Sequence, residues 1–103
     1  MTRYAKRTDD NHSDVIEEFR AALPEATVHD CSGTGGGFPD LCIGVFKRNW
    51  LIEIKDRSKP ESRRKLTNAQ VGMHGNWQGQ IAIAHSAAEI LAHMARTLAR
   101  EAE

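Results

Sequence analysis

Cysteine is scarce in this chain. Cys31 and Cys42 stand alone with no Cys-x-x-Cys spacing. That excludes a disulfide framework and a zinc knuckle, and leaves two reduced, half-buried thiols as the expectation. No apolar run is long enough to cross a bilayer, and the opening MTRYAKRTDD has no signal-peptide core. A cytoplasmic location is the default expectation. An excess of either charge is also missing: 14 Lys and Arg balance 14 Asp and Glu. Zero net charge argues against a general nucleic-acid glue. The glycine-rich segment 33–37 leads into no Gly-Lys-Ser/Thr, and residues 41–46 beyond it read as a strand. A Walker phosphate loop and a dinucleotide fingerprint are therefore both excluded. There are no repeats and no internal linker, so 103 residues make one domain, 1–103, with a modest core.

The informative residues concentrate in 35–56, GGGFPDLCIGVFKRNWLIEIKD. The stretch reads as a glycine-rich loop, a strand, a turn and a second strand. Asp40 stands at the head of the first strand, and Glu53 and Lys55 flank Ile54 on the second. Charge is locally uneven around it. Between Lys47 and Lys65 stand Lys47, Arg48, Lys55, Arg57, Lys59, Arg63, Arg64 and Lys65 against Glu53, Asp56 and Glu61. A basic segment beside an acidic pair suits a phosphate backbone approaching a metal.

Taken in order, residues 1–8 read as a flexible basic arm. Asp9, Asp10 and Asn11 are capping candidates for a helix over 10–23, with Val15, Ile16, Phe19, Ala22 and Leu23 as its apolar face and Pro24 as its stop. Residues 26–31 form a short strand. Glycines at 33 and 35–37 permit positive φ and a close approach to something. Strands over 41–46 and 50–54 flank Lys47, Arg48 and Asn49 as a hairpin turn. A period of two puts Leu51, Glu53 and Lys55 on one face and Trp50, Ile52 and Ile54 on the other. Asp40 reaches the Glu53 face across the hairpin. Residues 56–65 read as a polar, basic, mobile loop.

Thr67 caps a helix over 67–77 on which Gln70 and His74, four apart, point the same way. A strand over 80–85 comes next. Ser86 then caps a helix over 87–100 with Ile90, Leu91, Met94 and Leu98 as its stripe. Trp50 and Trp77 are expected in the core, and His29, His85 and His93 in structural or surface roles.

Phosphodiester hydrolysis near neutral pH requires a hard divalent cation, oxygen ligands for it, and a group that orients the attacking water. Asp40 and Glu53 offer carboxylate oxygens, the Ile54 backbone carbonyl a third ligand, and Lys55 a cation for the water or the developing charge. An all-oxygen set favours Mg²⁺ or Mn²⁺ over zinc. Lys59, Arg63 and Arg64 are candidate phosphate contacts, and the glycine loop, at Gly36 and Gly37, would admit a DNA backbone. His74 is a further candidate near the DNA.

At these residues the chain resembles the PD-(D/E)xK nucleases. Phe38-Pro39-Asp40 followed by Glu53-Ile54-Lys55 is similar to that signature on its hairpin. The run Gly35 to Asp40, the Glu53 to Asp56 strand end, and Leu66-Thr67 leading to Gln70 look most like small stand-alone VRR-NUC domains of phage and prophage. The resemblance implies a restriction-endonuclease-like α/β fold: an α-β-β-β-α-β core, a central mixed sheet flanked by helices, and a C-terminal helix. It implies Asp40 and Glu53 as metal carboxylates, Lys55 as catalytic lysine, and Gln70 as the helix glutamine beside the site. Relatives also bring a glutamate from the first helix. Asn11 is its nearest equivalent here and Glu18 a weaker one. The implied activity is an endodeoxyribonuclease acting on branched DNA such as Holliday junctions, working as a homodimer in a bacterial or phage-infected cell. The alternatives are a non-catalytic DNA-binding module of the same fold, a nuclease of flap or nicking specificity, and a structural homodimer.

Overall fold

The structure is a computed structural model that describes residues 11–103, with the side chain of Arg63 excepted. The expected arm over residues 1–8 and the capping candidates Asp9 and Asp10 lie outside the described residues. The chain runs α1 (His12–Ala22), β1 (Thr27–Asp30), β2 (Leu41–Val45), β3 (Arg48–Ile54), α2 (Glu61–Arg64), α3 (Asn68–Asn76), β4 (Ile81–Ala84) and α4 (Ala87–Glu101). It is an α/β protein with one mixed sheet in the order β1-β2-β3-β4. β1 and β2, and β2 and β3, pair antiparallel, whereas β3 and β4 pair parallel. No described helix is long and apolar enough to cross a membrane.

The apolar stripes expected of the first and last helices explain which face of the sheet is covered. Val15, Ile16 and Phe19 of α1 and Ile90 and Met94 of α4 close over Leu41, Ile43, Trp50, Ile52 and Ile54. Phe19, Trp50, Ile52 and Ile90 are wholly enclosed. Each such side chain contributes roughly 1.5–3 kcal/mol of transfer free energy. Ala22 is exposed and stands outside the stripe, because α1 ends there and Leu23 turns away from helical geometry before Pro24. His93 meets the edge of Trp50, with ring centroids 5.6 Å apart. Cys31 and Cys42 are reduced thiols and half-buried, as expected.

Two local expectations need correction. The hairpin turn is Phe46-Lys47, because Arg48 already pairs with Val45 and β3 begins there. Both turn residues adopt positive φ, 58° and 59°. A two-residue turn with that handedness matches the twist of the strands it joins, and twist prevails here over the usual Asn-Gly preference. The segment 56–65 is not a plain loop. Asp56 Oδ1 accepts from the amide and the hydroxyl of Ser58, at 2.9 and 2.7 Å, and Lys59 N–H returns to Asp56 O. The bonds from Ser58 hold Asp56 below the usual carboxylate range. Pro60 then leads into the single turn α2.

Arg57 ties this segment to α4. Its guanidinium lies 2.6 Å from Glu89 Oε2, while Glu89 Oε1 accepts from the His85 amide and faces His85 Nδ1, each at 2.9 Å. Burial pushes Glu89 upward, but the bonds from Arg57 and His85 outweigh it and hold its pKa at about 2, below the ordinary 4.5. The folded value lies below the unfolded one. The stabilisation is therefore complete above about pH 4.5 and disappears as pH falls toward about 2. Glu89→Gln is expected to lower the urea midpoint at neutral pH, with the difference from wild type closing over that acid window. A gap that stays constant with pH would show that charge plays no part.

Candidate active site

The open face of the sheet carries the chemistry. Leu41 pairs with Ile52, so Asp40, one residue earlier, stands across from Glu53. The Asp40 carboxylate replaces the next rung of the ladder: its Oδ2 accepts from Ile54 N–H at 2.7 Å. The N–H and C=O of one strand residue point to the same side, so the Ile54 carbonyl faces the Asp40 side as well. The Asp40 backbone carbonyl in turn accepts from Cys31 N–H at 2.7 Å, which fixes the strand head.

Glu53 and Lys55 project from β3 away from the core, as the period of two requires, yet both are buried. The first turn of α3 covers them with Gln70. Gln70 Nε2 donates to Glu53 Oε2 at 2.9 Å, and Gln70 Oε1 accepts from Lys55 Nζ at 2.9 Å. Lys55 Nζ lies 3.9 Å from Glu53 Oε2. The same Gln70 closes the capping box of α3. Its Oε1 accepts from Thr67 N–H at 2.9 Å, while Thr67 Oγ1 accepts from Gln70 N–H at 3.2 Å. A glutamate at the third helical position would cap equally well. Only an amide can accept from Lys55 and Thr67 and also donate to Glu53, so the neighbours select glutamine over glutamate.

Asp40, Glu53, Lys55 and Gln70 are 3%, 2%, 7% and 5% exposed. Two carboxylates and one ammonium held this deep carry a desolvation cost that apolar residues would avoid. His74 sits beside them, one turn beyond Gln70. Burial and the nearby charge of Lys55 lower its pKa below that of an ordinary histidine.

The expected residues divide into those brought together and those placed elsewhere. Asp40, Glu53, Lys55, Gln70, the Ile54 backbone and His74 converge. Asn11 reaches the same region from behind. Its Nδ2 donates to Lys55 O and His85 O, each at 3.2 Å, so its amide nitrogen braces the ends of β3 and β4. Glu18 stands on the exposed side of α1 and lines a surface hollow with Asp14, Glu17 and Ala21. Lys59 and Arg64 are joined by an Arg64 Nε bond to Lys59 O at 2.9 Å. The Arg63 side chain lies outside the described residues. Gly36 is exposed with open space where a Cβ would stand, whereas Gly37 is buried against α3. Trp50 is in the core, but Trp77 is 42% exposed, its ring 6.1 Å from Phe38 and perpendicular to it.

One buried histidine stands outside the expected set. His12 Nε2 is buried 3.4 Å from Asp30 Oδ2, joining the start of α1 to the end of β1. No local spacing signals that pair, because its partners meet only through the fold.

Among the described residues there is no group of three His, Cys, Asp or Glu side chains that could hold a metal. Magnesium does not need one, since it commonly binds through one or two carboxylates and keeps several waters. Two opposed carboxylates beside a strand carbonyl are hard donors of the kind it takes. Comparison with protein-family models, with curated proteins and with solved structures found no match.

Proposed function

We propose that this chain is a Mg²⁺- or Mn²⁺-dependent endodeoxyribonuclease with a restriction-endonuclease-like fold, acting on branched DNA. One observation carries the reading: Asp40, Glu53, Lys55 and Gln70 are buried together where none of them packs the core. Charges held at such cost, with two carboxylates opposed, are more readily explained by a cation and a phosphate than by stability.

Asp40, Glu53 and the Ile54 carbonyl would hold the cation, which supplies positive charge opposite the phosphate and makes water more acidic. Lys55 Nζ orients the attacking water and offsets charge that develops on the phosphoryl oxygens. Gln70 keeps Lys55 and Glu53 apart at fixed distances by bonding to both. Burial and the charge of Lys55 both disfavour protonation of His74 beside the site. Lys59 and Arg64, with Arg63, are the proposed phosphate contacts along the DNA backbone. A domain this small has little surface for reading sequence, which favours recognition of DNA shape. Pairing of two copies would place two such sites on opposite strands of a junction.

The test is cleavage of a labelled four-way junction beside a linear duplex of the same sequence. Cutting of the junction is expected to require Mg²⁺ or Mn²⁺, to exceed cutting of the duplex, and to stop on chelation. Binding with no cleavage in any divalent cation would replace this reading with a DNA-binding module. Light scattering is expected to give twice the monomer mass, and a monomeric mass would remove the paired arrangement.

A further inference from the structure

Among the elements longer than one turn, α3 stands apart. It contributes no residue to the apolar core and none to the half-buried side chains packed on that core. Its one buried residue is Gln70, which is polar and belongs to the site. Packing on the main core therefore does not explain where α3 sits. Besides the Gln70 bonds to Lys55 and Glu53, two contacts with the glycine loop place it. At the first turn of the helix, a Cβ on Gly37 would stand 2.3 Å from Ala69 O and 2.8 Å from Gln70 N. At the far end, Trp77 meets Phe38 edge to face. The loop that runs into Asp40 is thus also the seat of the helix that carries Gln70.

We infer that Gly37 is a positioning residue: its missing Cβ lets the loop seat the first turn of α3, and that seating sets Gln70 against Glu53 and Lys55. The inference rests on the nuclease reading for its catalytic consequence, but the seating itself does not. The close approach that Gly37 permits is to the protein's own helix. An alanine there must separate the loop from α3 by about 1 Å, from 2.3 Å to the 3.4 Å of ordinary van der Waals contact. Gln70 makes both of its site hydrogen bonds at 2.9 Å, and neither tolerates that shift. Lys55 and Glu53 would lose the amide that separates them.

A matched control exists in the same loop. Gly35 has φ 81° and Gly37 has φ 80°, so alanine suffers the same left-handed strain at either position. A Cβ on Gly35 meets nothing within 4 Å. Comparing Gly35→Ala with Gly37→Ala therefore separates strain in the loop from displacement of the helix.

The experiment measures amide hydrogen exchange and steady-state junction cleavage for both variants. Gly37→Ala is expected to speed exchange across α3 while β2, β3 and α4 stay protected. Its kcat is expected to fall on the order of 100-fold with KM close to wild type, as for a misplacement of about 1 Å. Gly35→Ala is expected to keep α3 protection and kcat. Identical behaviour of the two variants in both readouts would overturn the inference. If wild type cleaves nothing, the nuclease reading fails, and the exchange comparison alone still decides the seating. Should Gly37→Ala not fold, Trp77→Ala asks the same question at the exposed end of the helix. Faster exchange in α3 supports the seating, and unchanged exchange overturns it.

Discussion

Asp40→Asn is expected to cost on the order of a thousandfold in cation-dependent cleavage while the protein stays folded. The substitution is nearly isosteric. An asparagine oxygen can still accept from Ile54 N–H, which Asp40 Oδ2 now does at 2.7 Å, so the head of β2 keeps its rung. Only the charge is removed. Without it, the opposed pair across the hairpin becomes a single carboxylate, Glu53, and the hold on a hydrated divalent cation weakens. Without cation the melting temperature is expected to equal or exceed that of wild type, since two buried like charges no longer face each other. Junction cleavage, Mn²⁺ calorimetry and a thermal melt together check the prediction. Wild-type cleavage by the variant would end the nuclease reading. A collapse in melting temperature would instead make Asp40 a structural residue.

Trp50→Ala is expected to destabilise the domain by about 3–5 kcal/mol, in the range for removing a buried tryptophan. Trp50 is wholly enclosed between the sheet and the helices α1 and α4. Its Nε1 donates to Val45 O at 3.2 Å, bridging the two strands of the hairpin, and its ring packs against His93. Truncation leaves a cavity and removes the indole bond to Val45 O. Total stability for domains of this size is about 5–15 kcal/mol, so the loss takes at least about a fifth of it. Urea denaturation measures the loss. A change below about 1 kcal/mol, typical of a surface substitution, would mean the ring lies outside the core.

Much of the architecture is legible along the chain, and particular residues show why. The stripes on α1 and α4 repeat at helical spacing, and Ser86 and Thr67 cap where hydroxyls precede helices. On β3, alternation separates Trp50, Ile52 and Ile54 from Glu53 and Lys55. The hairpin turn is less legible, because Phe46 and Lys47 carry no turn chemistry and the choice between turns belongs to strand twist. The short helix α2 is hidden for a related reason. Four residues after a proline give no period to read, and the bonds that shape the segment run from Asp56 and Lys59.

The sequence by itself determined the α/β class, the partition of β3 into an apolar and a charged face, and the candidate set Asp40, Glu53, Lys55 and Gln70. Those properties come from period and residue type, which are local. Only the tertiary structure decided what Gln70 and Gly37 do. A glutamine in a capping position and a glycine in a loop are each ordinary alone. Gln70 joins the helix cap to Lys55 and Glu53 because the turn after Thr67 lands on β3. Gly37 matters because Ala69, far along the chain, comes within a distance that no Cβ would allow. Asn11, the first helix's nearest equivalent of a site glutamate, comes to Lys55 O and His85 O through its amide nitrogen for the same reason. Where two strand ends and a helix start converge is set by packing across the whole chain, and no spacing within one segment contains it.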